Sequence, residues 1–292
     1  MNKQILLFCS IFIAFITHAQ TGPRLLGALS IVGTNNSGTI IHYTGGDTTL
    51  TSVFDMPVSG FSSDPGAITL TETPNGELYG TISYYNSTTS LGAIYQYDYT
   101  NNAYTVKAIL DSSTGFQPSD LLLANNGMLY GVAQSGGANN GGTIFSYTIG
   151  DTAVKKLFDF DHSAYPITSL IQASDGNLYG QTQTDGANGG GVIFQYKLSD
   201  SSYHILFSFP FHSYSIGGLV EVGADTLYGV TEYGGPGSGT LFRYTIGDVS
   251  DTILYNFPGG AWPQAKLLHA SDGNLYGVTE GDGVNNEGTV FS

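Results

Sequence analysis

Two sets of side chains recur at fixed distances from a repeated triplet, and both are of types that bind ligands. The triplet is Leu-Tyr-Gly, beginning at Leu78, Leu129, Leu178, Leu227 and Leu275. Thirteen residues before its leucine stand Phe116, Tyr165, Tyr214 and Trp262, and Phe61 takes a like place with a four-residue insertion. Aromatic rings turned to solvent at one repeated position would form a ring of stacking platforms for sugars. Three residues past the glycine stand Ser83, Gln134, Gln183, Glu232 and Glu280, with Ser30 as the counterpart in a degenerate first copy. Carboxamides and carboxylates so arranged could hold a polar ligand or a cation. Each set also has a plainer reading: aromatics wedged between repeats as packing, and polar residues on a solvated loop edge. The sequence alone leaves both readings open.

Other chemical signals are weak. The chain has no His-Glu-x-x-His, Gly-x-Ser-x-Gly or Walker motif. No catalytic residue, metal ligand or cofactor is therefore assigned. His162 and His212 fall at like places in two loops, but a tight metal site needs three or four ligands. A glycoside hydrolase needs two carboxyls flanking one bond, and Glu232 and Glu280 are the best candidates. Their equivalent placement in the repeat argues for symmetry instead of a unique site.

The elements that position these residues follow from the spacing. Successive triplets are 51, 49, 49 and 48 residues apart, which identifies a repeat architecture. One unit, residues 166–209, shows the plan. A short apolar strand A (169–173) leads through Asp175-Gly176 to strand B (178–182), which carries the triplet. A glycine-rich loop (185–191) leads to strand C (192–196), and a polar turn to strand D (204–209). Asn-Gly or Asp-Gly recurs between A and B and predicts type I′ hairpin turns. Four short strands per unit of this length predict propeller blades, with a parallel β-helix as the competitor. Apolar runs without clean alternation fit sheets buried on both faces. The triplet glycine is expected to allow close approach of neighbouring blades, and the tyrosine hydroxyl to find a partner.

The expected fold is thus all-β, a β-propeller of four-stranded blades with about six repeats of about 49 residues. The first copy lacks a strand A before Leu26, and the last stops inside strand C at Ser292. A chain truncated within its last blade, with a sorting or anchor segment beyond, is the favoured reading. In each blade the B–C and D–A loops share one end and are the longer ones, where binding residues usually sit.

The residues then carry a resemblance. Pro-x-x-x-Leu-Ile-x-Ala-Ser-Asp-Gly-Asn-Leu-Tyr-Gly-x-Thr, followed by Gly-Gly and Gly-Thr-Ile-Phe, resembles the GloVer (Gloeo/Verruco) tandem repeat, with residues 166–196 and 263–292 the best matches. More distantly the units are similar to kelch blades. The resemblance covers most of 26–292 and implies a bacterial extracellular β-propeller; it implies no established activity.

The ends and the composition agree with that setting. Lys3, the apolar run 5–16 and Thr17-His18-Ala19 read as a signal peptide over 1–19, cleaved near Ala19, with 20–292 as the propeller domain. The run is too short to span a bilayer, so no membrane insertion is expected. The single cysteine, Cys9, lies inside that run, which leaves the mature chain without disulfide or thiolate chemistry. A formal charge of −15 repels phosphate backbones and excludes nucleic acid as a partner. The expected function is a secreted or cell-surface binding and display module without enzyme activity, its partner a polysaccharide or a surface protein. The alternatives are a polysaccharide lyase or glycoside hydrolase on the same scaffold, and a purely structural surface array.

Overall fold

The computed structural model describes residues 24–29, 39–44, 51–55, 70–82, 91–162 and 164–292. The segment 1–19, together with Ser30, Phe61 and Ser83, lies outside them. Among the described residues every regular element is a β-strand. Four sheets have the order A-B-C-D with antiparallel neighbours throughout, and each contains one Leu-Tyr-Gly triplet. They are blades 1 to 4, with triplets at Leu78, Leu129, Leu178 and Leu227. Blade 5 is built on Leu275–Val278 and has three strands.

In blade 3 the strands are Ile171–Gln172, Leu178–Thr182, Val192–Tyr196 and Tyr203–Ser208, within two residues of the sequence expectation at every end. Blade 2 splits its inner strand into Phe116–Pro118 and Leu122–Leu123. The expected count of about six is corrected to five blades. The first copy forms a separate sheet of three strands, Arg24–Leu29, Thr39–Thr44 and Thr51–Asp55, and among the described residues no inner strand pairs with it.

Burial explains why these runs lack clean alternation. Strands B and C of blade 3, and strand C of blade 2, are buried at every position. Both faces of blades 2, 3 and 4 meet another sheet, so successive residues enter two different apolar layers. Leu178 packs with Ile144 and Phe160 of blade 2, and the adjacent Tyr179 packs with Leu219 and Phe242 of blade 4. Leu129 and Tyr130 divide in the same way between blades 1 and 3. The outer strand D is more open, and Thr252–Asn256 is exposed throughout.

The triplet glycine has a different role from the one its sequence position predicts. It faces an aromatic residue of strand C across the ladder: Gly131 opposite Phe145, Gly180 opposite Phe194, Gly229 opposite Phe242. A Cβ on Gly180 would stand 2.5 Å from the tip of the Phe194 ring. The glycine therefore makes room within its own blade for a ring that lies flat across the sheet. Next to that ring every C–D pair slips register, for example between Ile193 and Phe194.

The A–B turn also differs. Gly176 donates its N–H to Ala173 O at 2.9 Å, and Ala173 N–H to Asn177 O at 3.0 Å. Gly176 has φ +81°, whereas Asp175 is not left-handed. A type I′ turn needs positive φ at both central residues, so this is a type I turn closed by a glycine bulge. It also supplies the tyrosine partner: the Tyr179 hydroxyl donates to Asp175 Oδ2 at 2.7 Å, and Tyr276 does the same to Asp272 at 2.7 Å.

Candidate functional site

The two periodic sets meet in pairs at the end of the propeller that carries the B–C and D–A loops. Gln183 donates its backbone N–H to Tyr165 O at 3.1 Å, Glu232 to Tyr214 O at 3.0 Å, and Glu280 to Trp262 O at 3.2 Å. The aromatic residue entering strand A and the polar residue leaving strand B are thus cross-strand neighbours in blades 3, 4 and 5. All three aromatics have φ +46°. A bulky residue in the left-handed region is a strained outlier, held there only where its surroundings over-determine it.

In blade 2 the sets slip by one residue. Gln117, with φ +53° and directly before Pro118, takes the backbone place of Tyr165 and Trp262 and stands across from Gln134. Phe116 instead pairs with Ser135. The cause is local: two residues separate Pro118 from Leu121, where three separate Pro166 from Leu170. Phe116 therefore leaves the aromatic ring that the count of thirteen predicts.

Blades 4 and 5 draw the polar set together. The Gln264 side-chain amide donates to Glu232 Oε1 at 3.1 Å and to Glu280 Oε2 at 2.7 Å. The Tyr233 hydroxyl adds a bond to Glu232. Beside them runs an arc of rings. Phe211 stacks on His212 with centroids 3.8 Å apart, His212 lies 5.8 Å from Tyr214, and Tyr214 meets Tyr233 edge-on at 5.6 Å. Phe211 is 68% exposed and Tyr165 47% exposed, while Tyr214 and Trp262 are half-buried. Gln264 and Phe211 escaped the periodic reading because neither recurs by type in the other copies; by type Tyr233 recurs once in sequence, as Tyr84, and His212 once, as His162. His162 does not join His212; its Nδ1 lies 3.1 Å from Asn139 O.

The loops at this end are tied by backbone hydrogen bonds and leave no room for a Cβ at one glycine. Phe160, Phe209 and Phe257 each donate a backbone N–H to the glycine that opens strand C, at 2.9 to 3.0 Å. A Cβ on the glycine before it would overlap the chain returning from strand D: the Asp161 carbonyl at Gly141 and the Pro210 carbonyl at Gly190. An apolar groove between blades 4 and 5, lined by Tyr228, Tyr255, Phe257 and Phe291, contains none of the periodic residues.

Burial holds the Glu232 carboxyl above the usual carboxylate range; the neighbouring charge of Glu280 acts in the same direction, and the bonds from Tyr233 and Gln264 offset part of it. A folded-state pKa above the unfolded value means the folded chain holds the proton more tightly. The associated stability is complete below the unfolded pKa and is lost as pH rises through the folded one. At neutral pH the ionised Glu232 is thus a net cost, discounted because the group is half exposed. Glu232→Gln is expected to raise stability at neutral pH by up to about 1 kcal/mol and to change little at acid pH. Paired thermal melts check this, and a loss of stability at neutral pH would contradict it.

The chain matches the model of the Gloeobacter/Verrucomicrobia repeat over residues 16–218. No curated protein sequence matches it. Among solved structures it is similar to a puromycin-hydrolyzing peptidase of Mycobacterium tuberculosis, with 15% identity and TM-score 0.63 over 93% of this chain and 44% of that one. It is also similar to TolB from Acinetobacter baumannii, with 16% identity and TM-score 0.53 over 88% of this chain and 60% of that one. A third likeness is to the periplasmic gluconolactonase of Pseudomonas aeruginosa, with 13% identity and TM-score 0.57 over 91% of this chain and 82% of that one. The chain spans less than half of the peptidase and about three fifths of TolB. At these identities the likeness is one of fold, and it agrees with the propeller built from the sheets above. With the repeat model covering more than two thirds of its length, the chain belongs to the Gloeobacter/Verrucomicrobia repeat family.

Proposed function

We propose that the chain is a secreted binding module, released by cleavage near Ala19, that takes an extracellular polysaccharide on the loop-bearing end of blades 3 to 5. The observation that carries this reading is the set of Tyr165, Tyr214 and Trp262 at one strained backbone angle, each bonded to a polar partner. A residue that only packs has no need of that strain, whereas strain kept at exposed Tyr165 and at half-buried Tyr214 and Trp262 points to function. Rings beside carboxylates and a carboxamide supply the two contacts a sugar needs: a face to stack on and acceptors for its hydroxyls. A glycan array probed with the mature chain tests the reading. Trp262→Ala is expected to weaken binding about tenfold or more, as loss of an aromatic anchor does. Absence of binding to every polysaccharide, with Trp262→Ala silent, would sink it.

One observation favours a second reading, glycoside hydrolysis. Two carboxylate oxygens bonded to one amide stand within about 6 Å of each other, near the spacing of retaining glycosidases. The raised Glu232 would be the proton donor and Glu280 the nucleophile. The Gln264 amide occupies the gap between them, which is why binding is the first reading. Release of reducing ends from mixed polysaccharides, abolished by Glu232→Gln, would reverse that order.

A further inference from the structure

Blade 5 leaves one edge of its sheet open. Its strand C, Val290–Phe291, pairs with strand B through Phe291 opposite Gly277 and Val290 opposite Val278. Among the described residues no strand pairs with its other edge, which in blades 1 to 4 carries strand D. In blades 2 to 4 the residue after strand D, Phe160, Phe209 or Phe257, donates its N–H to the glycine that opens strand C. Gly288 opens strand C of blade 5, and no described N–H reaches its carbonyl in this way. Unpaired backbone groups along a sheet edge are a template for an added strand.

The side chains beside this edge repeat a cluster that is complete between blades 2 and 3, where four rings meet. Phe158 and Phe160 stand edge-on at 5.3 Å, and Phe160 meets Phe194 at 5.3 Å. Tyr203, the first residue of strand D, closes the cluster: it stacks on Phe158 at 4.1 Å and lies 5.4 Å from Phe194. Between blades 4 and 5 three of the four rings recur with nearly the same geometry, Tyr255 edge-on to Phe257 at 5.1 Å and Phe257 beside Phe291 at 4.9 Å. By repeat position the ring of Tyr203 corresponds to the apolar groove between these blades. The groove measures about 570 Å³, several times the roughly 150 Å³ that holds one benzene ring, so it takes more than one side chain. Tyr255, which lines it, is 53% exposed, whereas its counterpart Phe158 is half-buried. The groove continues the apolar layer of Val230, Phe257 and Leu267, so an occupant extends an interface already formed. Asp282 is the one charged residue lining it, in a chain of charge −15, which disfavours an acidic occupant.

We infer that the edge of Val290–Phe291 and its groove form a docking site for an extended, non-acidic segment of another protein. The segment adds antiparallel to strand C in the position of strand D and lays an aromatic ring over Tyr255 and Phe291. Main-chain bonds to the edge supply the attachment, and the ring fixes the register. Strand D of blade 3 displays the pattern, with Tyr203 at the ring cluster and Ile205, Leu206 and Phe207 after it. The site uses none of the side chains of Tyr165, Tyr214, Trp262, Glu232 or Glu280, so it stands or falls apart from glycan binding.

Fluorescence anisotropy of a labelled peptide copying residues 202–209, titrated with the mature chain, tests it. The expected result is saturable binding that weakens about tenfold or more when the peptide carries Tyr203→Ala or the chain carries Tyr255→Ala, and that is unchanged in Trp262→Ala. Because Tyr255 is exposed, its alanine variant is expected to fold. In blade 3 the Phe209 N–H reaches Gly191 O, and alternation along a strand turns the Phe207 N–H to the same side. A peptide N-methylated at Phe207 should therefore lose binding. Absence of saturable binding overturns the site. Indifference to the peptide tyrosine overturns the ring contact, and indifference to N-methylation overturns strand addition. Dimerisation of the free chain that Tyr255→Ala abolishes would give the edge to a second copy and overturn the assignment to another protein.

Discussion

Phe194→Ala is expected to cost about 3–5 kcal/mol, the range for removing a fully buried phenylalanine. Phe194 is 0% exposed and has two roles. Its ring tip fills the space left by Gly180 on strand B. Its faces and edges pack with Phe160 of blade 2 at 5.3 Å and Tyr203 of its own strand D at 5.4 Å. Removing the ring opens a cavity between two blades, and the sheets cannot close it without breaking their ladders. A fall in Tm on the order of 10 °C should follow, measured by thermal denaturation. Phe211→Ala, at a ring 68% exposed, is the control, expected to stay within about 0.5 kcal/mol of wild type. Gly180→Ala should be destabilising alone by about 1–3 kcal/mol through overpacking against the same ring. Combined with Phe194→Leu it should cost less than the sum, because the two side chains compete for one volume. Simple additivity would show that the ring and the glycine are not coupled.

Gly190→Ala is the second large effect. Its Cβ would meet the Pro210 carbonyl and lie 2.8 Å from the Phe209 carbonyl. Both obstacles are backbone, so no rotamer change relieves the clash, and a loss of about 3 kcal/mol is expected. The Pro210 segment leads into Phe211, His212 and Tyr214, so the displaced loop should also disturb the ring arc at the binding end. Chemical denaturation measures the first effect, and weaker glycan binding the second. Gly150→Ala separates sterics from backbone conformation. Gly150 has φ +100° with nothing within 4 Å of a Cβ, so only the left-handed penalty of about 1–2 kcal/mol applies. Equal losses for the two variants would refute the steric account of the paired glycines.

Much of the fold was legible because it is written in local chemistry. Val192-Ile193-Phe194 and Leu178-Tyr179 are strand formers bounded by glycine and aspartate, and both strands lie where the pattern puts them. The Asp-Gly pair reads correctly as a hairpin and incorrectly as type I′, since glycine at the left-handed position satisfies either turn. The triplet glycine likewise signals that a Cβ is excluded. Only the packed sheet shows that the excluding neighbour is Phe194 of the same blade.

The candidate site was legible as two periods and not as an arrangement. Counting from the triplet found Tyr165, Tyr214, Trp262, Gln183, Glu232 and Glu280, and the backbone bonds join them in pairs. The same count misplaced Phe116, because a one-residue deletion in blade 2 falls between the ruler and the residue measured. Gln264 has no counterpart of its type in the other copies and Tyr233 has only Tyr84, so no sustained period reveals them.

The sequence by itself determined which segments are strands, how they pair within a blade and that the blade repeats, because propensity, turn chemistry and ladder register act between near neighbours. Tertiary structure alone decided that Glu232 and Glu280, 48 residues apart, share the Gln264 amide, and that Leu178 and Tyr179, adjacent in the chain, pack against blades 2 and 4 respectively. Those meetings depend on how successive sheets pack around a common centre. That packing is set by apolar volume summed over whole blade faces, a quantity that no single stretch of chain contains.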